Sequence, residues 1–156
     1  LDAQSKVAGV RTATDDSGSD IFTRVLVDKV EPHSGNGRAT VLYEYPIPEA
    51  ALARPKPGAP KVAERFELYA CGVELANAFG ELTDPVVQRQ RFEADMAQKA
   101  RLYGETYPID EDVLAALAHM PEASGAALGF DRLVILATGA EHIEQVLWSP
   151  VTEPRA

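Results

Sequence analysis

The sequence predicts an α+β fold, and three observations lead there. Apolar, β-branched and aromatic residues alternate with polar ones through "ERFELYACGVELANAFGELTD", residues 64–84, around a central glycine, as in two strands joined by a hairpin. Segments of helical spacing lie before and after this stretch instead of alternating with strands one for one, which disfavours a parallel βαβ array. No segment repeats, and 156 residues with 46% hydrophobic and 25% charged composition suffice for one ordinary globular core.

Taken in order, residues 1–19 are rich in Ser, Thr, Asp and Gly and read as an irregular N-terminal segment, with the folded domain over residues 20–156. Ile21, Val25, Leu26 and Val30 share a helical face that starts at Ser19 or Asp20 and stops in "PHSGNG". Residues 39–45 read as a strand. The five prolines of "PIPEAALARPKPGAPK" predict an extended loop, a surface connection or an active-site flap. Asp84 followed by Pro85 opens a helix whose apolar stripe is Phe92, Met96, Ala100 and Tyr103, with Gln88, Arg89, Glu93, Gln98 and Lys99 on a solvated face. A shorter helix follows from Asp110. "SGAALG" reads as a buried strand that runs into a helix with Phe130, Leu133, Val134 and Ala137 on one face. "EHIEQVLW" predicts a last short helix or strand before Pro150.

Net charge weighs against non-specific nucleic-acid binding and leaves a local basic site open. With 24 acidic against 15 basic residues, the chain carries −9, which argues against a surface that grips nucleic-acid backbones. No apolar run approaches the roughly 20 residues of a membrane helix, and the first residues lack a signal-peptide pattern, so no membrane partner and a cytoplasmic location are expected. The lone Cys71 has no partner for an internal disulfide. His33, His119 and His142 lack ligand spacing, and surface or packing roles are expected for them. The chain begins at Leu1, and we read it as a piece of something longer.

The hairpin raises a chemical question, because it holds Glu67, Glu74 and Glu81 in a stretch that reads as sheet. A turn at Cys71–Gly72 makes Glu67 and Glu74 diagonal neighbours on one face; a turn at Ala70–Cys71 makes them directly opposite. Either the face is wet and both are solvated, or something positive lies between them. A divalent cation is the economical choice, since one or two carboxylates plus nucleotide phosphates are the usual ligands of Mg²⁺. Asn77 and Glu81 fall out of phase with that face, so either a bulge follows Ala76 or the strand ends there. In "SGAALGFDR", Gly129 and Arg132 would bring backbone N–H groups and a guanidinium to a helix start, where a phosphate can sit.

Together, residues 64–84 and "GAALGFDR" at 125–132 resemble the C-terminal part of the class II lysyl-tRNA synthetase catalytic domain, the second segment matching motif 3. Within that family the likeness is to the branch that ligates (R)-β-lysine to elongation factor P, and it runs from about Asp20 to Val151. The resemblance implies an antiparallel sheet flanked by helices and ATP-dependent activation of lysine or (R)-β-lysine as an acyl adenylate. It implies Glu67 and Glu74 as Mg²⁺ and ATP ligands, and Arg132 as the catalytic arginine against adenine and the γ-phosphate. Gly129 would let the backbone approach the nucleotide. Glu81 would receive the substrate ammonium, Asn77 would be a polar pocket residue, and Ala127 would shape the amino-acid pocket.

The implied acceptor is a lysine of elongation factor P, with tRNA as the rival acceptor, and the implied assembly is a homodimer. A non-catalytic paralogue that binds an amino acid or nucleotide is the other rival. Two departures stand out. Ala127 occupies a position that is usually glycine in tRNA-charging members, and motifs 1 and 2 are not found. These residues therefore look like the C-terminal half of a catalytic domain, inert alone and with an exposed edge on the Glu67–Glu74 hairpin.

Overall fold

The computed structural model of the chain describes residues 9–149. Ser17 Oγ accepts from the Asp20 N–H while Asp20 Oδ2 accepts from the Ser17 N–H, at 3.2 and 2.8 Å. This reciprocal cap starts helix α1, Gly18–Val25, two or three residues before the expected cap and inside the segment expected to be irregular. The chain continues as a π-helix over Leu26–Val30 and a 3₁₀ turn over Glu31–His33. Strand β1, Thr40–Tyr43, is shorter than predicted because Glu44 turns the backbone to φ 63°.

The proline-rich stretch is not the extended loop expected of it. It folds as a 3₁₀ turn, Ile47–Glu49, and a two-stranded ribbon of β2, Pro55–Lys56, and β3, Ala59–Ala63. The ribbon's paired region is short, with Pro46 bridging Val62 on the far side of β3, so the ladder asks for few of the N–H groups that proline lacks. Strands β4, Arg65–Ala70, and β5, Val73–Gly80, form the predicted hairpin. Its loop is Cys71–Gly72, with φ of 52° and 75°, the paired positive values of the turn that suits a two-residue hairpin.

Helix α2, Pro85–Tyr103, begins and ends where the sequence places it, between the Asp84 cap and a left-handed Gly104. Its faces differ from the prediction. Gln88, expected in solvent, is 1% exposed, and Tyr103, expected on the apolar stripe, is exposed. The reason is backbone satisfaction: Gln88 Nε2 donates to Ala51 O at 3.2 Å. Arg91 Nη1 donates to the carbonyls of Ala50, Ala51 and Ala53 at 2.9, 3.1 and 2.7 Å. Burial pushes the Arg91 guanidinium below its usual pKa.

Helix α3, Glu111–Leu117, follows its Asp110 cap. Strand β6, Ser124–Leu128, leads into helix α4, Phe130–Thr138, and a final 3₁₀ turn covers Ile143–Gln145. Residues 1–8 of the irregular segment, the Pro150 stop and Val151 lie outside the described residues.

The larger sheet has the order β1-β4-β5-β6. Pairing is antiparallel: Glu44 N–H donates to Arg65 O, Gly129 N–H to Leu75 O and Glu81 N–H to Ala123 O. The hairpin carrying Glu67 and Glu74 is therefore central, with β1 beside β4 and β6 beside β5, and the expected exposed edge lies elsewhere. The edge strands are β1 and β6, and β6, predicted to be buried, is largely exposed. No residue of α4 is buried either, and Phe130 is 69% exposed.

By contacts the chain divides into two compact units. Among the described residues, the first comprises 9–42, 67–77 and 127–149, and the second 43–66 and 78–126. In the first, Gly35 presses on the hairpin: a Cβ there would stand 2.7 Å from Ala70 N, and Cys71 N–H donates to Gly35 O. The second holds a small apolar cluster of Ala50, Ala53 and Ala63, with Ile47 and Phe79 against it. Among the described residues no helix is long and apolar enough to cross a membrane.

Candidate functional site

In the first unit the two-residue loop fixes the pairing by count, with Ala70 opposite Val73 and Tyr69 opposite Glu74. Glu67 and Tyr69, two apart on β4, point to the same side, and both are buried, at 6% and 2% exposure. The Tyr69 hydroxyl donates to Glu67 Oε2 at 2.6 Å and also stands 3.4 Å from Glu31 Oε1. A hydroxyl has one proton, and the shorter contact takes it.

Glu74 has a different partner. Arg132 Nη1 donates to its carbonyl oxygen at 2.8 Å and to its Oε2 at 3.1 Å. The crowded face of the hairpin thus has in-chain relief, a phenol on one carboxylate and a guanidinium on the other. Arg132 reaches Glu74 because Gly129, the N-cap of α4, joins β6 to the helix and donates its N–H to Leu75 O at 2.8 Å. A Cβ on Gly129 would stand 3.2 Å from Arg132 Cδ. The glycine leaves room for the arginine side chain itself.

Glu67 and Glu74 suit a hard cation. Among the described residues no group of three or more His, Cys, Asp or Glu could hold a metal. Two carboxylates are nonetheless the share that Mg²⁺ takes from protein when phosphates supply other oxygens. Arg132, half exposed, has five N–H donors, so it can keep Glu74 and still meet an anion.

Asn77 is half-buried on β5, and Ala127 is exposed on β6. β5 does not end at Ala76. Its buried positions are Leu75, Ala78 and Gly80, so the alternation changes phase between Leu75 and Ala78, as an extra residue in a strand makes it do.

Glu81 belongs to the second unit. Its Oε1 lies where a Cβ on Gly125 would come within 2.6 Å, so the carboxylate packs directly on the glycine backbone. An isolated bridge pairs Ala53 with Glu81. Nearby, Arg54 Nε bonds Glu64 Oε2 and Arg54 Nη1 lies 2.9 Å from Glu122 Oε1, a charge contact without hydrogen-bond alignment. A cavity of about 470 Å³ is lined by Arg54, Glu64, Phe79, Gly80 and Gly125 among others.

Sequence reasoning missed Tyr69 and Arg54. The i, i+2 spacing of Glu67 and Tyr69 on a strand was a readable signal for the first. For Arg54 there was none, because its partner follows from the fold of the ribbon.

The family model for class II tRNA synthetases (D, K and N) matches residues 12–153 of this chain. The chain belongs to the class II tRNA synthetase family. Among its relatives in that family is the elongation factor P (R)-β-lysine ligase of Proteus mirabilis, 47% identical over 139 residues. That match covers 88% of this chain and 43% of the relative. The ligase of Edwardsiella ictaluri is 51% identical over 119 residues, covering 76% of this chain and 37% of the relative. The ligase of Hamiltonella defensa is 44% identical over 157 residues, covering 96% and 48%. The chain thus spans less than half the length of these relatives. The matched range contains both units' candidate residues, from Glu67 to Arg132.

Proposed function

We propose that the protein carrying this chain activates lysine or (R)-β-lysine with ATP and transfers it to a lysine side chain of elongation factor P in the cytoplasm. The observation that carries this reading is the placement of Arg132 on Glu74 beside the buried Glu67, with family membership as its context. In this reading Glu67 and Glu74 hold Mg²⁺, and Arg132 meets the phosphates while Gly129 keeps its path open. The metal supplies charge neutralisation on the polyphosphate.

Glu81 receives the substrate ammonium, and Asn77 and Ala127 are substrate-binding residues in this reading. The substrate carboxylate attacks the α-phosphorus and pyrophosphate leaves; the acceptor amine then attacks the acyl carbon of the adenylate, and the amide forms as AMP and a proton leave. The chain's contribution is positioning and charge complementarity rather than covalent chemistry. The residues of the chain act within a homodimeric protein.

The test is transfer. The gene product is incubated with ATP, Mg²⁺ and (R)-β-lysine, together with either elongation factor P or tRNA for lysine. A mass increase of one β-lysyl residue on elongation factor P supports the proposal. Charging of the tRNA alone replaces it with the tRNA-charging reading, and transfer to neither refutes it.

A further inference from the structure

Glu67 is a buried carboxylate beside a like charge, and rotamer preference does not fix its orientation, because the last torsion of glutamate is broad and twofold. Something else must aim it. The Tyr69 hydroxyl contributes to that, donating to Oε2 at 2.6 Å from a ring that is itself 2% exposed. Its neighbour Glu31, at 3.4 Å, is too far to draw the proton away. Gly35 fixes the strand beneath: a Cβ there would stand 2.8 Å from Tyr69 C, so that backbone has no room to shift.

We propose that Tyr69 is a positioning residue for the magnesium ligand Glu67, holding one carboxylate oxygen so that the group keeps a fixed orientation toward the cation. This rests on the reading of Glu67 and Glu74 as the metal pair. Carboxylates that ligate metals are themselves hydrogen-bonded, and losing such a partner typically costs about 10- to 100-fold in metal affinity. Phenylalanine at 69 would preserve packing and lose the donor.

The experiment measures ATP binding to the gene product by titration calorimetry across Mg²⁺ concentrations, without amino acid, alongside thermal unfolding. Tyr69→Phe should raise the Mg²⁺ midpoint by about 10-fold or more while metal-free ATP affinity stays within twofold of wild type. A p-aminophenylalanine at 69, which restores an N–H donor on the same ring, should return the midpoint to within about threefold. A Tyr69→Phe midpoint equal to wild type overturns the inference and leaves the metal pair standing. Wild-type binding that ignores Mg²⁺ overturns the metal pair itself. Should Tyr69→Phe unfold below the assay temperature, the p-aminophenylalanine protein decides. A near-wild-type midpoint supports the inference, and one raised 10-fold overturns it.

Discussion

Arg132 Nη1 reaches two oxygens of Glu74, the carbonyl at 2.8 Å and Oε2 at 3.1 Å. Half-exposed ion pairs of this kind contribute only about 0–1 kcal/mol to stability. The pairing is therefore cheap to break and is better understood as placing the guanidinium. Arg132→Ala should leave the thermal midpoint within a few degrees. It should lower the rate of amino-acid activation by about 10²- to 10³-fold, the usual loss for one charge-stabilising donor. A large stability loss with unchanged activation would assign Arg132 to the fold instead.

The acid pair gives a second expectation. Glu67→Gln and Glu74→Gln should each abolish most of the Mg²⁺ dependence of ATP binding, read by calorimetry with and without the metal. The two should differ in stability. Glu67 is buried on the Tyr69 hydroxyl, and Glu74 is a half-exposed partner of Arg132, so Glu67→Gln should be the more destabilising. Equal Mg²⁺ dependence in wild type and both variants would remove the pair from the metal site.

Glu81 and Gly125 supply a test by crowding. A methyl at 125 would fall 2.6 Å from Glu81 Oε1, so Gly125→Ala must displace that carboxylate. Its effect should mimic Glu81→Gln. Both should cost about 2–4 kcal/mol in kcat/KM for a lysine-type substrate, the range for breaking a close charge pair, with ATP affinity retained. If Gly125→Ala spares lysine kinetics while Glu81→Gln damages them, the carboxylate has room that this structure does not give it.

Ala127 carries the prediction about substrate choice. Ala127→Gly removes one methyl from a strand whose surface is open, so folding should be little affected. The ratio of α-lysine to β-lysine activation should rise, by up to the 10- to 200-fold that one methylene is worth in a pocket. An unchanged ratio places the selectivity elsewhere.

Much of this was legible because it is local. The hairpin turn was written in Cys71–Gly72, helix α2 in Asp84, Pro85 and Gly104, and the strand–glycine–helix order in residues 124–132. What failed was decided by tertiary neighbours. Gln88 is buried because the carbonyls of residues 50–53 need donors, and the prolines of 46–61 fall in a 3₁₀ turn and a short ribbon. The exposure of β6 and its place at a sheet edge are not encoded in its periodicity. In the site, the partner of Glu67 was within reach of strand spacing alone, whereas Glu81 on Gly125 required the pairing of distant segments.

The central claim is that this chain serves activation of a lysine-type amino acid by ATP. Amino-acid-dependent ATP–pyrophosphate exchange by the gene product tests it most directly. The account predicts exchange that requires Mg²⁺, appears with (R)-β-lysine or lysine, and is absent with an uncharged amino acid of similar length. Exchange that is equal for charged and uncharged amino acids, or absent with every lysine-type substrate, would contradict it.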